Sequence, residues 1–299
     1  WLKRRGAQAF SLRSTIPIVL YAHIMYGALA PGGRGGSFRR STGIEAANVG
    51  GDPAPTGRTS NAAKQLVSLG DTEVRHGFIR KVYGIVGSQL VLTALVASGI
   101  VRLGHMWMPA HPGLAMSLMF ISLAGSIGCM CVFQCCPDTM RRSPTNYIIL
   151  FLFTQCEAMM VGFICLNYTL DSILIAVGVT AFVVLSLTLF ACQTTVDFTG
   201  CGPYLFAGSM CLLAFGFCLM LGSMLGLGGT ALFKPLYLAY SCMGCLLFSF
   251  YLVFHTQLIV GGKHRLQFTV DDYAVAAINL YLDIIQLFLF ILRMLGRRR

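Results

Sequence analysis

At 299 residues the chain has the length of about two soluble domains, but its composition excludes them. Apolar residues make up 56% of the chain and charged residues 11%, with a mean hydropathy of +0.72, whereas a soluble domain carries roughly 25% charge. A soluble enzyme, a disordered chain, a collagen and a small secreted disulfide scaffold are ruled out. What remains is a multi-span membrane protein with a basic head, since residues 1–81 hold 12 of the 22 Lys+Arg but only 4 of the 11 Asp+Glu. Beside a membrane such charge orients spans and meets anionic lipid, so the basic balance points to a bilayer partner and not to nucleic acid.

The numbered chain begins at Trp1 instead of Met, as expected of a fragment, a processed form or a misassembled gene model. Ile16–Ala30 is an apolar run behind Lys3, Arg4 and Arg5 with the outline of a signal peptide. Pro31 argues against cleavage after it, the run is short for a span, and it stays unassigned. Residues 31–72, rich in Gly, Ser, Thr, Pro and Arg, are expected to be disordered. The chain thus divides into an N-terminal region, 1–72, and a transmembrane domain, 73–299.

A helix needs about 20 apolar residues to cross the hydrocarbon layer, and seven stretches meet or approach that length. They are Val82–Val101, Gly113–Cys136, Tyr147–Asn167, Ser172–Cys192, Pro203–Leu227, Leu236–Val260 and Ala274–Leu292. Their short connections predict an all-α membrane protein with the helices in one bundle. Gly84 with Ser88, and Gly222 with Gly226, have the small-xxx-small spacing that lets helices approach closely. With the head in the cytosol, the inner loops hold Lys64, Arg75, Arg80, Lys81, Arg141, Arg142, Lys263 and Arg265, against Arg102 and Lys234 outside. This asymmetry places the amino end inside, opposite to a seven-helix receptor. Arg293, Arg297, Arg298 and Arg299 lie outside if the last stretch crosses and inside if it re-enters, and charge counting leaves both open.

Most of the 12 Cys fall in apolar runs, where Cys is a small buried hydrophobe. The Cys242-x-x-Cys245 pair has no His, Asp or Glu close by and reads as filler. Cys135 and Cys136, at the edge of an apolar run beside Arg141 and Arg142, are palmitoylation candidates. The sequon Asn167-Tyr168-Thr169 abuts the bilayer and is expected to stay unglycosylated.

Charge inside hydrocarbon costs about 2.5–3.5 kcal/mol at a helix centre and marks function by default. Glu157, His255 and Asp283 qualify. Asn279, Asp283, Gln286 and Arg293 share one face of the seventh stretch. Such a polar stripe needs polar company, which puts this helix in the bundle centre. Asp283 lies about 13 Å in from the start of its stretch and His255 about 7–8 Å from the end of its own, so the two can meet; Glu157 sits about 15 Å deep. Two readings stay open. Glu157 is protonated and hydrogen-bonded while Asp283 specifies packing, or the three line a water-accessible ion or proton path.

The segment Tyr251-Leu-Val-Phe-His-Thr-Gln-Leu-Ile-Val-Gly-Gly-Lys-His264, with Asp271-Asp-Tyr-Ala-Val-Ala-Ala-Ile-Asn-Leu-Tyr-Leu-Asp283-Ile-Ile-Gln-Leu-Phe288, resembles the carboxyl-terminal signature of the transmembrane BAX-inhibitor-motif family, lifeguard subgroup. Arg75-His-Gly-Phe-Ile-Arg-Lys-Val-Tyr83, Arg141-Arg-Ser-Pro-Thr-Asn-Tyr147 and Gln193-Thr-Thr-Val-Asp-Phe-Thr199 agree with it, over about residues 73–296. The resemblance implies six helices around a central C-terminal helix. It also implies residence in endomembranes (Golgi or endoplasmic reticulum) or the plasma membrane, suppression of cell death, and a pH-sensitive calcium leak from internal stores.

In the family the leak is tied to a pair of aspartates, one in each of the last two helices. The second matches Asp283; the first falls on His255. Two close carboxylates share a proton and offer the oxygens that calcium prefers. An imidazole beside a carboxylate turns repulsion into attraction. That site is a neutral ion pair near pH 7 and cationic in acid, and both are poorer hosts for a divalent cation. Calcium at Asp283 is therefore expected to be transient and weak, with no resident cofactor. A channel for calcium or protons and a non-conducting regulator acting through cell-death membrane proteins are the two function classes. An enzyme is not expected, because His76, His105, His111 and His264 sit in loops without matching ligands and no nucleophile triad or phosphate loop is present.

Overall fold

The computed structural model describes residues 57–136, 139, 143–261, 268 and 272–298. They form seven long helices: α1 (Gly57–Ala110), α2 (Pro112–Cys135), α3 (Thr145–Cys165), α4 (Leu170–Gln193), α5 (Gly202–Met224), α6 (Phe233–Val260) and α7 (Tyr273–Leu295). Each is long and apolar enough to cross a membrane, and the protein is an all-α, seven-helix membrane protein.

Local chemistry sets the ends. Pro112 opens α2 at its first residue and Pro203 lies at the second residue of α5, positions where a missing N–H costs nothing. Between α4 and α5, Asp197 caps a short turn by accepting from the Thr199 backbone N–H at 3.0 Å. Past α5 the chain turns at Gly226, with φ 84°, and α6 ends at Gly261, with φ 65°, the left-handed backbone that only glycine adopts freely. Gly226 thus lies beyond the helix and forms no packing face with Gly222. The helix termini match the apolar stretches to within three residues, except at α1. Residues 57–72, expected to lack order, are helical and continuous with the first span; residues 1–56, with the apolar run Ile16–Ala30 and the rest of the stretch expected to be disordered, lie outside the described residues.

α7 is the axis. Over its membrane window 89% of residues are buried, against 22% for α2 and 11% for α4. It packs on α6, α1, α4 and α3, while α2 rests chiefly on α3 and α5 chiefly on α6. Two glycines allow the closest approaches. A Cβ at Gly162 of α3 would meet Ile100 Cδ1 of α1 at 2.6 Å, and one at Gly244 of α6 would run into the Phe290 ring of α7.

The last helix crosses completely. Its first residue, Tyr273, lies beside Asn146 at the start of α3 and beside Lys81, just ahead of the apolar stretch of α1. Beyond its other end, Arg297 accepts from the Thr169 backbone N–H at 3.1 Å, just before α4, and donates to Ser172 Oγ at 3.0 Å in the first turn of α4. Arg298 bridges to Tyr168 and donates to the Tyr237 hydroxyl at 3.1 Å. Arg293 and Arg298 lie over aromatic rings, 5.5 and 5.3 Å from the Tyr237 centroid. Arg297 and Arg298 are therefore at the face opposite Tyr273 and Lys81, held by backbone and ring contacts.

Candidate functional site

The site lies in the centre of the bundle, where α6 meets α7. The sequence His255-Thr256-Gln257 is wholly buried, and each end of it is fixed. Gln257 accepts from the Phe198 backbone N–H at 2.8 Å and donates to the Val196 carbonyl at 2.9 Å, which ties the α4–α5 turn to α6. One turn before His255, Tyr251 stacks on the imidazole with centroids 5.8 Å apart and planes at 18°, while Phe254 meets it edge-on at 5.2 Å. This clamp aims Nδ1 at α7.

There it meets Asp283. His255 Nδ1 and Asp283 Oδ2 are 2.5 Å apart, with side chains 1% and 0% exposed. An imidazole and a carboxyl group this close and this buried interact strongly, because little solvent screens them. Either side of the acid, Asn279 and Gln286 are 3% exposed. Asn279 Nδ2 and Gln286 Oε1 have no hydrogen-bond partner among the described residues. Buried polar atoms are nearly always paired, so this stripe has unfilled hydrogen-bonding capacity beside an ionisable pair. The fourth member of the stripe, Arg293, belongs to a different cluster, near the far end of the helix among Tyr237, Tyr240 and Phe290.

Glu157 is not part of the pair. It is 4% exposed and accepts from Ser126 Oγ of α2 at 2.6 Å, so its partner comes from the outer helix. A buried polar layer lies beside it, across α1, α3 and α7. Thr93 Oγ1 and the Tyr281 hydroxyl are 2.8 Å apart, and Gln89 Nε2 donates to Thr154 Oγ1 at 2.9 Å. Ser126, Gln89, Tyr251 and Tyr281 were not singled out from the sequence. The signal available for Gln89 was a lone amide in an apolar run.

Arg75, counted from the sequence only as a loop charge, ties the end of α6 to α1. Arg75 of α1 donates to the carbonyls of Val260 at 3.0 Å, Phe268 at 2.8 Å and Leu258 at 2.8 Å. Leu258 and Val260 are in the last turn of α6, where carbonyls lack helical partners, the Leu258 carbonyl also accepts from the Phe268 backbone N–H at 3.1 Å, and a planar guanidinium with five donors is suited to gather all three.

Cys135 and Cys136 are exposed at the end of α2, and all 12 cysteines are free thiols. Arg141 and Arg142 lie outside the described residues. The sequon residue Asn167 donates from Nδ2 to the carbonyls of Phe163 and Ile164, which engages the amide in its own helix end.

Comparison with known proteins agrees with this architecture. Residues 75–299 match the family model described as Inhibitor of apoptosis-promoting Bax1. The chain is similar to human Protein lifeguard 3, 33% identical over 232 residues that cover 76% of this chain and 71% of the relative. The mouse protein of the same name is 32% identical over the same shares. An Arabidopsis thaliana Protein LIFEGUARD 3 is 34% identical over 227 residues, covering 75% of this chain and 85% of the relative. A bundle wound around its last helix, a buried acid on that helix and a family match across three quarters of the length lead to one conclusion: the chain belongs to the BAX-inhibitor family, among its lifeguard members.

Proposed function

We propose that this protein is a multi-pass regulator of cell death in internal membranes, Golgi or endoplasmic reticulum, and that its central site passes calcium or protons in a pH-dependent way, at a rate held low by His255. The observation that carries the reading is the contact of His255 with Asp283 at the buried junction of α6 and α7. The unfilled polar atoms of Asn279 and Gln286 support a path that water or an ion can enter.

The same contact limits calcium. A hard cation takes oxygen ligands, and here one carboxylate oxygen is engaged by imidazole. Among the described residues no group of three or more His, Cys, Asp and Glu is arranged around a metal. The poor match favours a second reading, a non-conducting regulator that restrains cell death through protein partners.

The test is calcium release from vesicles loaded with calcium and carrying the full chain, across pH 5–8. His255→Asp is expected to raise the flux and shift its pH dependence, and Asp283→Asn to abolish it. Equal fluxes for the chain as it stands and His255→Asp discard the brake assigned to His255, and an absence of calcium flux from both discards the channel reading. An Asp283→Asn variant that still protects cells establishes the second reading.

A further inference from the structure

Sequence spacing shows Cys242 and Cys245 as a pair without a further ligand, and the fold supplies one from α7. The two cysteines are one turn apart on α6 and share a face. Between them lies Gly244, against which the Phe290 ring of α7 packs with no room for a Cβ. That close approach brings in a third sulfur. The Cys242 thiol donates to the Met294 thioether, with Sγ and Sδ 3.6 Å apart. All three residues are half-buried, so an ion can reach them. The cluster is separate from the central pair: Cys245 is ten residues before His255 on the same helix, about 15 Å along the axis.

The charge beside the cluster has the right sign. Arg293 precedes Met294 and lies within electrostatic reach of Cys245, as does Cys242. Its guanidinium is held over the Tyr237, Tyr240 and Phe290 rings. Nη1 is buried with no hydrogen-bond partner, and no carboxylate pairs with Arg293 among the described residues. A cation so placed in hydrocarbon is costly, and an anionic group next to it lowers that cost.

We propose that Cys242, Cys245 and Met294 bind copper(I) in a three-coordinate site whose negative charge Arg293 neutralises. Thiolate and thioether sulfur are the soft donors that select this ion. Zinc takes four ligands from Cys, His and carboxylate, and among the described residues no His, Asp or Glu joins these cysteines to complete such a set. Two sulfurs on one ion, each at about the 2.3 Å of a metal–thiolate bond, lie no more than about 4.6 Å apart. The contact of 3.6 Å therefore needs no movement of either helix. Binding exchanges each S–H for a bond to the metal, and both protons pass to water. One monovalent cation with two thiolates carries a single negative charge, the thioether adds none, and the guanidinium balances it.

The experiment titrates the purified full chain, in neutral detergent with ascorbate and without oxygen, against copper(I) held as its bicinchoninate complex. Chelator absorbance reads the affinity, and X-ray absorption at the copper edge reads the ligands. A single tight equivalent is expected, with a shell of three sulfurs and no nitrogen or oxygen. Cys242→Ser with Cys245→Ser should remove it, whereas Cys135→Ser with Cys136→Ser, at the exposed end of α2, should leave it in place. Met294→Leu and Arg293→Gln should each weaken it by about tenfold to a hundredfold, and equimolar zinc should not displace it. The spectrum of the unaltered chain decides the ligand set whether or not a variant folds. A shell containing nitrogen or oxygen, an equivalent that survives loss of both cysteines, affinity indifferent to Met294, or displacement by zinc overturns the proposal.

Discussion

Removing either member of the His255–Asp283 pair withdraws a buried contact from the other, and the geometry sets the scale of the damage. Both side chains are at most 1% exposed and their contact is 2.5 Å, so bulk water cannot replace the lost partner. Breaking a buried pair from one side costs about 3–5 kcal/mol. Asp283→Ala and His255→Ala are each expected to lose that much. The double variant should lose less than the sum, by about 2–3 kcal/mol, because the shared contact is then counted only once. Asp283→Asn keeps the shape and one hydrogen bond, and should fall between the single alanine variant and the unaltered chain. The measurement is reversible unfolding in mixed micelles as denaturing detergent is raised, followed by helical circular dichroism. Additivity of the two alanine changes to within about 0.5 kcal/mol would show that the residues are neighbours without being partners, and the site as described would fall with it.

Two further outcomes follow from the packing. Arg75→Gln withdraws the guanidinium donors from the Leu258 and Val260 carbonyls at the end of α6 and the Phe268 carbonyl beyond it; with hydrogen bonds to charged groups worth about 1.5–3 kcal/mol each, the Gly261 and Phe268 amides should exchange hydrogen about 100-fold faster. Arg75→Lys should recover only part of that protection, and unchanged exchange in both variants would refute the role given to Arg75. Gly162→Ala and Gly87→Ala should shift stability in opposite directions. The first forces α3 from Ile100 and the Ala97 backbone, a loss of about 1–3 kcal/mol, whereas the second meets nothing within 4 Å and gains up to about 1 kcal/mol from helix propensity. Thermal unfolding of the two purified variants, side by side, reads the sign.

The seven spans were legible because hydrocarbon imposes one rule on every crossing, and outside α1 apolar length alone came within three residues of the helix ends. The start of α1 escaped that rule. Arg75, Arg80 and Lys81 interrupt the apolar pattern there, so hydropathy stopped at Val82 while the helix runs from Gly57. The meeting of His255 with Asp283 could be anticipated from depth alone, since both are rare charges at similar levels on consecutive helices. Ser126 and Gln89 could not be anticipated, because a single hydroxyl or amide in an apolar run looks the same whether or not it has a partner. Charge counting also could not fix the end of the chain. Arg293 and Arg298 rest on tyrosine and phenylalanine faces and Arg297 is tied through its backbone, and a tally of loop charges does not register such contacts.

The residue string that forms the axis is also the last of the seven to leave the ribosome. Until Tyr273–Leu295 is threaded into place, the earlier six rods enclose an unfilled slot lined by His255 and Thr93. A chain interrupted anywhere upstream of Tyr273 cannot yield a smaller working unit, only a hollow cage with its polar lining turned toward lipid. Membrane quality-control machinery would therefore have a simple cue for every unfinished copy.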